Sequence, residues 1–154
     1  MKHHLEAIEL EGMLLGRHLS PPRRLPDGAH FLDRSAYTLL TRLEAEGPMS
    51  ISQLSDAFGL DASTLNRQTA AMLRDELVDR IPDPDGGLAR KFQITKTGKR
   101  RLKAERDANI NGLARILDDW SDTDISTLAR LLNKFNTSIE DRSGRPWPRP
   151  SSAD

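Results

Sequence analysis

A mainly α-helical fold with one small β-hairpin is predicted by three observations, all made on the stretch between Pro48 and Gly98. A short strand is followed by two short amphipathic helices with a glycine-containing turn between them. Two segments of alternating apolar and polar residues come next, separated by a segment rich in proline and glycine. Longer helical segments flank the whole, so the predicted order is α-α-β-α-α-β-β-α-α. This order is typical of a winged helix-turn-helix whose N- and C-terminal helices form a dimerisation domain.

Two helices are predicted before the motif, over residues 5–19 and 33–46. The first stops at Ser20-Pro21-Pro22, and the second is bracketed by Asp33 as N-cap and by Gly47-Pro48. The second helix is expected to pack beneath the motif. The apolar positions are Leu5, Ile8, Leu15 and Leu19 in the first helix and Ala36, Leu39, Leu40 and Leu43 in the second.

The helix-turn-helix begins with a predicted helix over residues 52–58, whose apolar stripe is Leu54, Ala57 and Phe58. Ser52 is the expected N-cap, because a serine hydroxyl can accept a free backbone N–H. Gly59 is expected to leave the helix in the left-handed conformation. Asp61 then caps the next helix and its charge suits the helix dipole.

Residues 62–77 predict the helix that enters a DNA groove, with an apolar face of Leu65, Thr69, Met72, Leu73 and Leu77. Arg67 can pair with guanine through two donors, and Gln68 or Asn66 can pair with an adenine edge. Ser63 and Thr64 can reach phosphates, and the small Ala71 lets the helix lie deep in the groove. The alternative is that these residues form only the solvated face of an amphipathic helix. The preceding helix and the following hairpin favour the DNA-binding interpretation.

The hairpin, or wing, is predicted from residues 77–81 and 90–95, with a flexible tip at 82–87. Arg90 and Lys91 are expected to reach the sugar–phosphate backbone or the minor groove, the alternative being a solvated ribbon. The expected DNA-binding residues are therefore Ser52, Ser63, Thr64, Asn66, Arg67, Gln68, Ala71, Arg74, Arg90 and Lys91.

The positive charge is concentrated on this motif. The 154-residue chain has 23 basic and 23 acidic residues, but residues 62–103 carry 10 basic and 5 acidic side chains. Residues 1–61 carry 6 basic and 9 acidic side chains, and residues 104–154 carry 7 basic and 9 acidic side chains. Because affinity for phosphates depends on the local field, the neutral total is compatible with specific DNA binding and argues against indiscriminate polyanion binding.

Composition excludes several other functions. The chain has no cysteine, which excludes disulfides, thiolate metal sites and thiol-based redox sensing. Four scattered histidines have no metal-ligand spacing, and the weak calcium-loop pattern that begins at Asp83 has Ile94 where a glutamate is required, so neither a metal nor another cofactor is expected. A membrane span and a secretory signal are both lacking, which predicts a cytoplasmic protein.

Two long helices are predicted after the wing, the first from Thr95-Lys96-Thr97-Gly98 to about Trp120 and the second over residues 124–141, capped by Ser121-Asp122-Thr123-Asp124. A small winged helix cannot bury the apolar faces of both, so a two-fold homodimer is expected, with two recognition helices about one DNA turn apart on a roughly palindromic operator. The alternative is that these helices fold back on their own domain. Their apolar positions are Leu102, Ile110, Leu113, Ile116, Leu117 and Trp120, then Ile125, Leu128, Leu131, Leu132, Phe135 and Ile139.

The chain is thus predicted to contain an N-terminal dimerisation helix and loop (1–32), a winged-helix domain (33–98), C-terminal dimerisation helices (99–141) and a tail (142–154). The tail is rich in proline and is expected to be flexible. An alternative is that Trp147, which lies between prolines, anchors on the partner subunit.

The chain resembles the MarR family of bacterial transcription regulators over about residues 5–141. The segments that carry the resemblance are Ile51-Ser52-Gln53-Leu54-Ser55, Gly59-Leu60-Asp61-Ala62-Ser63-Thr64-Leu65-Asn66-Arg67 and Ile94-Thr95-Lys96-Thr97-Gly98. The resemblance implies a dimer that binds operators, often as a repressor, and that is released by a small aromatic or phenolic effector. The wing departs from the family's Asp-x-Arg tip, since Asp85-Gly86-Gly87-Leu88-Ala89-Arg90 displaces the arginine along the strand.

The resemblance also implies where an effector binds, at the junction of the leading helix and the second helix. The candidate residues there are Met13, Arg17, His18, His30 and Tyr37. The alternative is that these are structural histidines and a core tyrosine.

Two other classes of function, an enzyme and a protein-binding module, are alternatives to DNA binding. An enzyme is not expected, because the chain has no phosphate loop, nucleophile elbow, zinc-binding helix or Rossmann turn. A winged-helix module that binds a protein partner without specific DNA binding is the stronger alternative. The basic middle segment and Arg67-Gln68 favour DNA.

Overall fold

Six helices and one antiparallel hairpin make up the part of the chain that the structure describes. The structure is a computed structural model, and it describes residues 1–19, 25 and 28–149. The elements are α1 (Lys2–His18), α2 (Arg34–Glu46), α3 (Ile51–Phe58), α4 (Ala62–Arg74), β1 (Val78–Ile81), β2 (Lys91–Ile94), α5 (Lys96–Ile116) and α6 (Asp122–Ser143). The predicted helix stop at Ser20-Pro21-Pro22 and the end of the tail, 150–154, lie outside the described residues.

The order of elements confirms the predicted mainly α-helical winged helix-turn-helix. β1 and β2 pair antiparallel, with Val78 opposite Ile94 and Ile81 opposite Lys91. The strand predicted before α3 is reduced to a single bridge, in which Met49 and Phe92 exchange backbone hydrogen bonds of 3.1 and 2.8 Å. The wing therefore has two full strands and one residue of a third.

The chain divides into two compact units, Met1–Phe31 and the remainder from Leu32 onward. The first unit contains α1, which has no buried residue. Its predicted apolar positions Leu5, Ile8, Leu15 and Leu19 are all exposed.

The core of the second unit lies where α2 packs beneath the motif, as predicted. Leu39, Leu40 and Leu43 of α2 are at most 2% exposed. They belong to one cluster that also contains Leu54, Leu65, Met72, Leu77, Val78, Phe92 and Leu102. Burial of these side chains packs both helices of the helix-turn-helix and the base of the wing around one hydrophobic core.

The N-cap of α3 differs from the prediction. Ser50, not Ser52, caps the helix: the Ser50 hydroxyl accepts the Gln53 N–H at 3.2 Å, and the Gln53 side chain accepts the Ser50 N–H at 2.9 Å. Ser50 is the serine with a glutamine three residues later, which is the capping-box spacing. Ser52 lies exposed in the first turn.

The turn between the two helices follows the prediction in its backbone. Gly59 ends α3 in the left-handed conformation, with φ of 63°. Asp61 occupies the N-cap position of α4, but its carboxylate accepts no capping hydrogen bond. Asp61 is therefore the N-cap residue, as predicted, but the predicted hydrogen bond from its side chain is not formed.

Helix α4 ends at Arg74 rather than at Leu77. Glu76 adopts a left-handed φ of 57°, the Glu76 N–H donates to the Leu73 carbonyl, and the Leu77 N–H donates to the Met72 carbonyl. This pair of bonds is a Schellman motif, which usually has glycine where this chain has Glu76. The motif turns Leu77 and Val78 into the core, where both are buried.

Candidate nucleic-acid interface

The outward face of α4 is polar and accessible. Ser63, Asn66, Arg67 and Arg74 are exposed, and Thr64, Gln68 and Ala71 are half-buried. The opposite face buries Leu65, Thr69 and Met72, and the Thr69 hydroxyl donates to the Leu65 carbonyl at 2.8 Å. Packing thus holds the helix by one face and leaves its hydrogen-bonding face open.

The wing tip forms a hydrogen-bonded turn, and its predicted flexibility stays a prediction. The Gly86 N–H donates to the Asp83 carbonyl at 3.0 Å, and the Asp83 side chain accepts the Asp85 N–H at 2.9 Å. Asp83-Pro84-Asp85-Gly86 has the residue preferences of a type I turn, with aspartate first, proline second and glycine fourth. That pattern was the sequence signal available for this turn.

The two wing cations that were predicted to contact DNA differ in placement. Arg90 is exposed. Lys91 is only 9% exposed, and its ammonium lies 3.1 Å from the Asp83 carboxylate. The Asp85 N–H, followed by the Lys91 ammonium, lowers the pKa of Asp83. Lys91 is thus buried and paired with Asp83 within the wing, and its predicted contact with the sugar–phosphate backbone stays a prediction.

Further positive charge lies on the same segment. Arg80 is exposed on β1, with its guanidinium 5.9 Å from the centre of the Phe92 ring. Lys96, Lys99 and Arg100 are exposed at the beginning of α5. Exposed basic side chains of residues 62–103 therefore lie on α4, on the wing and at the beginning of α5, whereas Lys91 is buried.

The long C-terminal helices leave apolar faces uncovered in the single chain. Helix α6 has no buried residue. The exposed large apolar side chains are Ile110, Leu113 and Ile116 on α5 and Leu128, Leu131, Leu132, Phe135 and Ile139 on α6.

Comparison with known proteins agrees with this architecture. The sequence pattern of the MarR family matches residues 32–86. The HTH-type transcriptional regulator YxaD of Bacillus subtilis (strain 168) is 38% identical over 110 residues, which span 71% of this chain and 77% of that protein. The chain belongs to the MarR family. It is a DNA-binding transcriptional regulator.

Two other similarities extend the comparison. The solved structure of a MarR family protein from Bacillus stearothermophilus superposes with a TM-score of 0.65, covering 90% of this chain and 91% of that one at 22% identity. The HTH-type transcriptional repressor IacR of Pseudomonas putida is 25% identical over 109 residues, which span 71% of this chain and 65% of that protein.

The predicted effector residues of this MarR-family chain fall in both units. Met13, Arg17 and His18 are exposed on α1, and His30 is exposed after it. Tyr37 is half-buried on α2, where it packs against the core of the second unit. A pocket shared by these residues stays a prediction.

Two features are absent from the described residues, a metal site and a membrane span. Among them, no group of three or more histidine, aspartate or glutamate side chains is arranged to hold a metal ion. Over the same part of the chain, every helix is too short or too polar to cross a membrane.

The described part of the tail contains residues whose role the sequence did not predict. Gly144 ends α6 in a left-handed conformation, and residues 145–149 lie against α2, α3 and α6. Trp147 packs on Phe58 and Arg42 of its own chain, and its predicted alternative role as an anchor on the partner subunit stays a prediction. The flexibility expected of the tail from its proline content stays a prediction.

Proposed function

We propose that this MarR-family regulator is a repressor that binds a roughly palindromic operator as a homodimer and responds to a small aromatic or phenolic effector. The open face of α4 carries the proposal. Asn66 and Arg67 are exposed on a helix whose other face is buried, so their donors and acceptors are available to base edges. The designation of the relative IacR as a repressor supports the sign of regulation.

The uncovered apolar faces support the homodimer. Exposed leucine, isoleucine and phenylalanine side chains recur along α1, α5 and α6. Exposed apolar side chains in this number are unfavourable in water, and a second copy with the same faces covers them through a two-fold axis. Two-fold symmetry also duplicates α4, which is why a palindromic operator is expected.

The effector proposal rests on the resemblance to the family and on side-chain chemistry. Arg17, His18 and His30 offer cationic or hydrogen-bonding partners for a phenolate, and Met13 and Tyr37 offer apolar surface for a ring. Addition of substituted phenols and benzoates to a protein–operator complex tests it. Release by one of them that is lost in His18→Ala supports the proposal, and no release by any of them contradicts it.

Selection of bound genomic DNA with the purified protein is the decisive test of DNA binding. We expect enrichment of fragments that share an inverted repeat, and binding that weakens steeply as salt concentration rises. Sedimentation should give the mass of two chains. Binding that shows no salt dependence and survives combined Arg67→Ala and Arg90→Ala substitution would instead favour a module that binds a protein partner.

A further inference from the structure

Residues 144–149, which we call the C-terminal strap, fold back from the end of α6. Gly144 adopts a φ of 67°, which reverses the chain, and the Arg145 N–H donates to the Glu140 carbonyl at 3.2 Å. The strap then runs over the side of the helix-turn-helix that carries α3. Asn66 and Arg67 on the outward face of α4 remain exposed.

Arg145 makes the first long-range contact of the strap. Its Nε donates to the Asp56 carbonyl at 3.2 Å, near the C-terminus of α3. Its guanidinium also lies over Gly59, where an added Cβ would come within 2.7 Å of the Arg145 Cζ. A cation is favourable at this helix end, because the last carbonyls lack intrahelical partners and carry the negative end of the dipole.

Trp147 and Arg42 make the second contact. The Trp147 ring lies edge-on to Phe58, with ring centres 5.7 Å apart, and the Arg42 guanidinium lies 5.1 Å from the centre of the Trp147 ring. Arg42 is 7% exposed, and it donates to the Pro146 carbonyl at 3.3 Å and to Glu46 at 3.0 Å. One buried arginine of α2 therefore holds both the ring and the backbone of the strap.

Glu140 of α6 closes the strap. Its carboxylate accepts two hydrogen bonds from the Arg149 guanidinium, at 2.7 and 2.6 Å, and one from the Trp147 N–H at 3.0 Å. Arg149 and then the Trp147 N–H lower the pKa of Glu140 to about 2. The pairing with Arg149 is bidentate, which fixes orientation as well as distance.

We propose that the C-terminal strap is a conformational device that ties α6 to α2 and α3 and so fixes the helix-turn-helix relative to the C-terminal helix. Its anchors belong to three different helices, α2, α3 and α6, so the strap links all three. Its consequence for DNA rests on the proposed function: if α6 is part of the dimer interface, the strap restricts how far apart the two copies of α4 lie. A loosened strap lets the distance between the two copies of α4 vary over a wider range, which weakens operator binding.

The first experiment detects the strap without DNA. In a Trp120→Phe variant of the full chain, Trp147 is the remaining tryptophan, and we expect blue-shifted emission and weaker acrylamide quenching than in the urea-unfolded chain. Arg145→Ala should speed hydrogen exchange at the end of α3 by roughly 2- to 10-fold, the factor that corresponds to one lost hydrogen bond.

Arg142→Ala is the matched control, because the Arg142 guanidinium donates to the Ser138 carbonyl within α6 and lies outside the strap. It should leave exchange in α3 unchanged. Equal exchange in the two variants, or Trp147 emission like that of the unfolded chain, would overturn the proposal. Circular dichroism of both variants verifies that the helices remain folded.

The second experiment measures operator binding by the same pair of variants. We expect Arg145→Ala to weaken binding by roughly 2- to 10-fold relative to Arg142→Ala. Unchanged affinity together with faster exchange would overturn the role of the strap in positioning α4 while leaving DNA binding intact. If the wild-type chain binds no DNA, the proposed function fails, and the fluorescence and exchange measurements still decide whether the strap forms.

Discussion

Gly98 lies directly against the backbone carbonyl of Leu77. A Cβ at position 98 would overlap that oxygen and come within 2.9 Å of the Ile94 Cγ1. Thr95 binds the same turn from the other side: its hydroxyl accepts the Gly98 N–H at 2.9 Å and donates to the Glu76 carbonyl at 2.7 Å. The Thr-x-x-Gly segment thus docks the beginning of α5 on the turn that follows α4.

Substitution Gly98→Ala should lower the free energy of unfolding by about 1–3 kcal/mol, because the added methyl meets backbone that must shift. Urea unfolding followed by circular dichroism measures this. Gly12→Ala on α1 is the control, since nothing lies within 4 Å of its added Cβ and alanine is the better helix former. A loss no larger at Gly98 than at Gly12 would contradict the close packing.

The two serines at the beginning of α3 should respond differently to alanine. Ser50→Ala removes the capping hydroxyl and should cost about 0.5–2 kcal/mol of unfolding free energy. Ser52→Ala alters an exposed side chain and should change it by less than about 0.5 kcal/mol. Thermal unfolding of the two variants shows which serine caps α3. A larger loss of unfolding free energy for Ser52→Ala would identify Ser52 as the N-cap, as the sequence predicts.

The order of helices and hairpin could be predicted because its signals are local. Apolar spacing of three and four residues, the left-handed Gly59 and the glycine- and proline-rich wing tip each act within a few residues. The end of α4 was missed for an equally local reason, namely that Glu76 stands where glycine usually marks a Schellman motif.

The misplaced parts of the site depend on contacts that sequence spacing does not show. Lys91 reads as a free cation until the register of the hairpin sets it beside Asp83. The contacts of Trp147 with Arg42 and Phe58 could not be predicted, because these residues are remote in sequence from the strap. The face of α4 was predictable by residue type, because helical periodicity alone separates Arg67 from the buried Leu65.

Arg67→Ala should weaken binding to the selected operator by about 1–3 kcal/mol and relax sequence preference at the position that Arg67 reads. The reason is that a guanidinium pairs bidentately with guanine, whereas alanine pairs with nothing. Fluorescence anisotropy with specific and scrambled duplexes measures both effects. Losses of equal size on the two duplexes would assign Arg67 to the DNA backbone instead.

Alanine substitutions of the two wing cations, Arg90 and Lys91, should differ in how they change the salt dependence of DNA affinity. Arg90→Ala removes an exposed cation, so the slope of log affinity against log salt should fall by about 1 if Arg90 contacts a phosphate. Lys91→Ala should leave that slope unchanged, because its ammonium pairs with Asp83, and should weaken binding to all sequences by loosening the wing. A slope reduced equally by Lys91→Ala would place that side chain on the DNA after all.

Glu105 should make stability fall as pH rises. Its carboxylate is 5% exposed and accepts the Leu32 N–H at 2.7 Å. Burial raises its pKa above the ordinary 4.5, although the Leu32 hydrogen bond and Arg101 oppose the shift. The protonated form therefore favours the folded state, and its contribution to stability is complete below pH 4.5 and lost as pH rises through the raised pKa.

Glu105→Gln keeps the hydrogen-bond acceptor and cannot ionise. Its unfolding free energy relative to wild type, measured by urea titration, should therefore increase as pH rises from 4.5 through the raised pKa of Glu105. A difference that stays constant with pH would show that Glu105 ionises as freely in the folded chain as in the unfolded one.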